Sequence, residues 1–176
     1  MEKSLLLNPL TDKNTSHSYL SYYSDLVNKD IEDMLEIGTT LFGGGSIIMF
    51  HEYFKKANIH SIDITDAPEI WKSYDRITHY KMDAYNINYF MKLMNNRYDF
   101  ILDDGSHRLE DQIFSAIYYI DLLKENGILI IEDIQNINNC EKIINSVDKS
   151  KYKKSEIFDL RKNKNRVDDI FIVFFK

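Results

Sequence analysis

The sequence predicts a doubly wound α/β domain, a parallel sheet with helices on both faces. Short apolar runs alternate with segments of helical period, which is the pattern such a sheet produces. Two of the runs, Tyr98 to Leu102 and Ile128 to Ile131, stop abruptly in polar chemistry. Asp103-Asp104-Gly105-Ser106-His107 follows the first, and Glu132-Asp133 follows the second. Buried parallel strands deliver functional groups at their carboxyl ends, so two strands that both end in acid mark a site.

Each element has its own signal. Tyr19, Leu20, Tyr23 and Leu26-Val27 recur at helical spacing and predict a helix within 15–28. Met34 to Ile37 is the first strand, and Gly38 opens a loop through Gly43-Gly44-Gly45. Ser46 is the expected N-cap of a helix over 47–56. Ile59 to Ile64 alternates into Asp63 as the second strand, and Ile77 to Met82 is the third, ending at Asp83. A helix is expected over 86–96, before the fourth strand at Tyr98 to Leu102. Ile113, Ile117, Ile120 and Leu122-Leu123 are the apolar positions of a helix over 109–124, which Asn126-Gly127 stops. The fifth strand is Ile128 to Ile131, and a helix follows over 138–147. Ser155 to Leu160 and Asp169 to Phe175 close the sheet. Their short link favours antiparallel pairing, because parallel strands need a longer crossover. Seven strands with one antiparallel member result.

The chain of 176 residues has single-domain size and enough length for a real core. Residues 1–30 read as an N-terminal helical extension of that one domain. Six Gly and two Pro argue against long disordered linkers. The single cysteine, Cys140, supports neither a zinc site nor an oxidising compartment, so an intracellular, cytoplasmic setting is expected. Met1 to Leu10 holds only a three-leucine run, too short for the core of a signal peptide. No apolar stretch approaches the ~18 residues of a membrane span, so no membrane partner is expected. The net charge of -6 argues against a nucleic-acid partner. That charge is uneven: Lys149 to Arg166 holds eight basic and two acidic residues, which leaves -12 on the remainder. A solvated surface is the simpler reading of this segment, and a basic rim for an anionic substrate or RNA is the sharper one.

The first strand and its loop suit a nucleotide-like cofactor. Gly38 permits a tight turn and close backbone approach. No Gly-Lys-Ser/Thr follows, so this is not a P-loop, and the glycine spacing does not fit the dinucleotide fingerprint. Asp63 ends the second strand where ribose hydroxyls would be met, and Asp83 ends the third where an adenine edge could be reached. Glu36 would repel a pyrophosphate but tolerate a cofactor with positive charge. S-adenosylmethionine has a ribose, an adenine, a sulfonium and an ammonium, and no phosphate.

On these residues the chain resembles the class I S-adenosylmethionine-dependent methyltransferases. Thr11-Asp12-Lys13 with His17 and Tyr19, Leu35-Glu-Ile-Gly-Thr39, Asp103-Asp-Gly-Ser-His107, Ile131-Glu-Asp133 and Asp159-Leu-Arg…Asp168-Asp-Ile170 together resemble the subgroup of metal-dependent macrolide-sugar O-methyltransferases. The resemblance implies a Rossmann-like sheet of order 3-2-1-4-5-7-6 with strand seven antiparallel. It implies cofactor contacts from Glu36, Gly38, Thr39, Asp63, Asp83 and Asp103. It also implies Mg²⁺ or Mn²⁺ held by Asp104, Glu132 and Asp133, with His107 as the catalytic base. The physics agrees: strands four and five would lie about 5 Å apart, so their terminal acids converge, and clustered carboxylates repel unless a cation or protons intervene. All-oxygen ligands favour Mg²⁺ or Mn²⁺ over zinc. His17, His51, His60 and His79 are expected to be surface or packing residues, His17 less so because it lies in the shared motif. Tyr22, Tyr23, Trp71, Tyr74 and Tyr85 could floor a sugar or ring substrate, or belong to the core.

The expected function is therefore metal-assisted O-methylation of a sugar, glycan or small-molecule hydroxyl. So short a chain leaves an open site, which suits a large acceptor or completion across a homodimer. Two alternatives stand beside this: an RNA or cap methyltransferase using the basic 149–166 segment, and a non-catalytic cofactor-binding subunit.

Overall fold

The computed structural model describes residues 11–13, 15–28 and 30–176, without the side chain of Phe42. Its strands are β1 (Asp33–Ile37), β2 (Asn58–Asp63), β3 (Ile77–Lys81), β4 (Tyr98–Asp103), β5 (Leu123–Ile131), β6 (Lys154–Asp159) and β7 (Ile170–Phe175). They form one sheet in the order β3-β2-β1-β4-β5-β7-β6. The strands from β1 to β5 pair in parallel, and β7 runs antiparallel to both β5 and β6. This is the expected topology. The helices are α1 (Leu20–Leu26), α2 (Gly45–Tyr53), α3 (Ile87–Phe90), α4 (Leu109–Tyr118), α5 (Ile137–Ser146) and α6 (Arg161–Lys164). Among the described residues, no helix is long and apolar enough to cross a membrane.

Alternation along the strands sorts the core into two layers. Met34, Phe100, Leu102, Ile130 and Val173 face α1 and α2. Leu35, Ile37, Ile101, Leu129 and Ile172 face α3, α4 and α5. The central strands are buried on both faces, which is why they read as continuous apolar runs. Full burial of a side chain such as Phe100 contributes about 2–3 kcal/mol of hydrophobic stabilisation.

Three local expectations need correction. Ser46 does not cap α2. Gly44, in the left-handed region at φ 70, precedes the helix, and no side chain caps it. The helix expected over 86–96 is only the short α3 and a 3₁₀ turn, Met91–Leu93, started by the Asn86 side chain accepting from the Asn88 amide. The helix expected over 109–124 gives way to a 3₁₀ turn at Tyr119–Leu122, and β5 starts at Leu123. Asn126-Gly127 therefore lies inside β5, where the pairing with β4 shifts register between Tyr98 and Phe100. A helix stop and a strand bulge both ask for a positive φ, and Asn126 has one of 64°.

Candidate active site

Three parallel strands end in step. Ile37, Asp103 and Ile131 are paired across β1, β4 and β5. Beyond them the Asp104 amide donates to Ile37 O at 3.0 Å, and the Glu132 amide to Asp103 O at 3.0 Å. Gly38, Asp104 and Glu132 thus leave the sheet side by side, where the strand order reverses between β1 and β4. A cavity of about 860 Å³ opens there, a volume suited to a small-molecule ligand.

Asp104, His107 and Asp133 converge on that cavity. His107 Nε2 lies 3.3 Å from Asp104 Oδ1 and 3.7 Å from Asp133 Oδ2. One ligand atom from each of the three falls within 4.8 Å of the others. His107 and Asp133 have φ of 57° and 52°. Such left-handed backbone costs about 1–3 kcal/mol at a non-glycine residue and recurs where side chains must be aimed. Burial works against charge on His107, but the hydrogen bond and charge of Asp104, with Asp133 and Asp103, outweigh it and hold the imidazole up at about 9.

Glu132 is placed differently from the other two expected ligands. It is fully buried, accepting from Lys13 Nζ at 2.6 Å and from the Tyr23 hydroxyl. Lys13 Nζ also donates to Asp104 Oδ2 at 2.6 Å and lies 3.5 Å from Glu36 Oε1. Tyr19 Oη donates to Asp133 Oδ1 at 2.5 Å, and His17 Nδ1 lies 3.3 Å from both Asp133 Oδ1 and Asp169 Oδ1. His17 is therefore not a surface residue: it is buried among carboxylates. Lys13, His17, Tyr19 and Tyr23 form a layer behind the acids. Its residue types were visible in the Thr11-Asp12-Lys13…His17…Tyr19 motif, but their partners lie 91 to 152 positions away. Tyr23 carried no such signal.

The expected cofactor contacts divide. Gly38, Thr39, Asp63 and Asp83 line the cavity, whereas Glu36 and Asp103 do not. Glu36 shares the sheet face of Met34 and so turns toward Lys13 under α1. Burial pushes its carboxyl up to about 7, against the pull of Lys13. Asp103 is buried behind Tyr85, whose hydroxyl donates to its Oδ1 at 2.7 Å. Asp63 is already occupied: Oδ2 accepts from the amides of Thr39 and Thr40, and Oδ1 from the amide and hydroxyl of Thr65. A Cβ on Gly38 would stand 2.1 Å from Asp104 O, so the glycine lets the β1 and β4 loops close together. Within the triple glycine, Gly44 serves packing. A Cβ on Gly44 would meet the Trp71 ring at 2.2 Å, and Trp71 Nε1 donates to Gly44 O. Trp71 and Tyr23 are core residues, while Tyr85 lines the cavity.

Much of the basic 149–166 segment pairs within the chain. Lys151 meets Asp121, Arg161 meets Asp159 and Arg166 meets Asp168. Lys164 Nζ donates to the carbonyls of Thr15 and His17, bracing the N-terminal layer.

No protein-family model matches the sequence, and no curated protein matches it. Solved structures do. The MycE methyltransferase from the mycinamycin biosynthetic pathway, in complex with Mg and SAH, is 24% identical with a TM-score of 0.63, over 74% of this chain and 35% of that chain. A caffeoyl-CoA O-methyltransferase candidate from Staphylococcus aureus is 17% identical with a TM-score of 0.59, over 89% and 79% of the two chains. The N-methyltransferase NodS from Bradyrhizobium japonicum WM9, in complex with S-adenosyl-L-homocysteine, is 12% identical with a TM-score of 0.60, over 98% and 96%. The chain thus spans about a third of the length of MycE and nearly all of NodS. At these identities the likeness is one of architecture: the chain has the seven-stranded α/β fold of the S-adenosylmethionine-dependent methyltransferases.

Proposed function

We propose that this chain is a single-domain methyltransferase that uses S-adenosylmethionine and a divalent ion, Mg²⁺ or Mn²⁺, to methylate a hydroxyl of a sugar, glycan or other small molecule. One juxtaposition carries the reading. Asp104, His107 and Asp133 converge on the cavity that Gly38, Thr39, Asp63 and Asp83 also line. A MycE structure described with Mg, SAH and Mycinamycin VI, 25% identical with a TM-score of 0.54, supports the same combination of ion, cofactor product and small acceptor. The lone buried Cys140 supports a cytoplasmic setting.

The donor set fits such an ion. Asp104 and Asp133 offer the hard carboxylate oxygens that Mg²⁺ and Mn²⁺ take. A divalent ion there supplies Lewis-acid polarisation of an acceptor hydroxyl. His107, on the cavity wall beside them, is assigned the hydroxyl proton. The transfer balances simply: a C–O bond forms at the sulfonium methyl, the C–S bond breaks, and the proton stays on the imidazole. Asp104 and Asp133 are also the groups that hold a proton on His107 in the ion-free chain, so ion and proton draw on one charge cluster. Gly38 and Thr39 bring backbone to the cavity, and Asp83 offers a carboxylate to the cofactor. Glu132 supports Asp104 from behind through Lys13.

Mn²⁺ binding followed by electron paramagnetic resonance tests this in native, Asp104→Asn and His107→Ala chains. One bound ion is expected in the native chain, lost in Asp104→Asn and kept in His107→Ala. Loss in His107→Ala as well would make His107 a ligand and remove it as the base. No bound ion in the native chain would take the metal out of the reading.

A further inference from the structure

The N-terminal layer contributes a cation that the chemistry above does not use. Lys13 is 1% exposed, yet its ammonium faces three carboxylates: Asp104 Oδ2 and Glu132 Oε2 at 2.6 Å each, and Glu36 Oε1 at 3.5 Å. The partners are divided between two tasks. Glu132 gives one oxygen to Lys13 and the other to the Tyr23 hydroxyl, and it does not line the cavity. Asp104 gives Oδ2 to Lys13, and its Oδ1 faces His107.

We infer that Lys13 is a fixed internal cation that sets how many ions the acid cluster takes. It occupies the inner half, Glu36, Glu132 and one oxygen of Asp104. Only the outer half, Asp104 Oδ1 with Asp133, is left for an exchangeable divalent ion. Lys13 is thus a positioning residue that acts through Asp104. The exchangeable ion rests on the metal reading above, whereas the inner cation rests on geometry alone.

The test uses full-length native protein, Lys13→Met, Glu132→Gln and the Lys13→Met/Glu132→Gln pair, which keeps the native net charge. Mn²⁺ binding and thermal unfolding, in chelator and in Mn²⁺, are measured for each. With Lys13 gone its carboxylates open to a divalent ion. Mn²⁺ binding to Lys13→Met should then tighten by about tenfold or more, or a second ion should enter. Mn²⁺ should also raise the Tm of Lys13→Met more than that of the native chain. Glu132→Gln should keep the native ion, and the paired variant should recover stability relative to Lys13→Met in chelator. A lysine with a merely structural role gives the opposite sign, because loosening the site weakens binding. Unchanged or weaker Mn²⁺ binding in Lys13→Met, or loss of the native ion in Glu132→Gln, overturns the inference. Should the native chain bind no Mn²⁺, the metal reading falls by itself. A gain of Mn²⁺ binding in Lys13→Met then still supports the fixed cation, and no gain overturns it. Should Lys13→Met fail to fold in chelator, a folded paired variant supports the inference and an unfolded one overturns it.

Discussion

A lysine sits among three carboxylates at each end of the β1–β4–β5 ladder. At the amino-terminal end Lys124 Nζ lies 2.8 Å from Asp33, 3.0 Å from Asp99 and 3.7 Å from Glu32. At the carboxyl-terminal end Lys13 has nearly the same distances to Asp104, Glu132 and Glu36. The pairings match, but the solvent does not: the Lys124 side chain is 28% exposed and that of Lys13 is 1% exposed. Water and salt screen the first cluster, which leaves a modest staple between strand starts. The second is screened far less, because Lys13, Glu36 and Glu132 are buried and only Asp104 reaches the cavity, so most of the charge must be matched inside the protein. The same residue types therefore make a surface tie at one end and an organised site at the other.

The largest effect expected from breaking this comparison is Lys13→Met. Removing one partner of a buried ion cluster costs about 3–5 kcal/mol, read as a lowered urea midpoint at unchanged m. Gly38→Ala comes next, because its Cβ would meet Asp104 O at 2.1 Å with φ at +78°. Strain of that kind costs about 1–3 kcal/mol before the loop shift is counted, and Mn²⁺ binding should weaken with it as Asp104 moves. Asp63 is the intermediate case. Burial pushes its carboxyl up, but the amides and hydroxyls of Thr65 and Thr40 outweigh it and hold it below the usual carboxylate range. A depressed folded value means that the stabilisation is present above the unfolded value and lost as pH falls through the folded one. The stability gap between native and Asp63→Asn should therefore be flat near neutrality and shrink below about pH 4. The smallest effect is Lys124→Met, expected at about 1 kcal/mol or less and fading further in high salt. A Lys124 effect as large as that of Lys13 would erase the contrast between the two ends.

The parts of the site that were legible in the sequence are those governed by local pattern. Apolar runs ending in Asp103-Asp104 and Glu132-Asp133 gave both the strands and the convergence of their acids, because parallel neighbours in register end together. The strand order came with the family resemblance, and pairing confirms it. What stayed hidden depended on distant packing. Gly44 is a glycine because Trp71 packs on it, and Asn126-Gly127 bends a strand where a helix end would ask for the same φ. Nothing local announces that Glu132, the third expected metal ligand, is paired with Lys13, 119 positions away.

The cavity itself is tested most directly by calorimetric titration of the native chain with S-adenosylhomocysteine, in chelator and in Mn²⁺. Saturable one-to-one binding, weakened in Asp83→Ala, is the expected result and would make a search for the acceptor hydroxyl worthwhile. No heat of binding under either condition would contradict the methyltransferase reading and leave the fold alone standing.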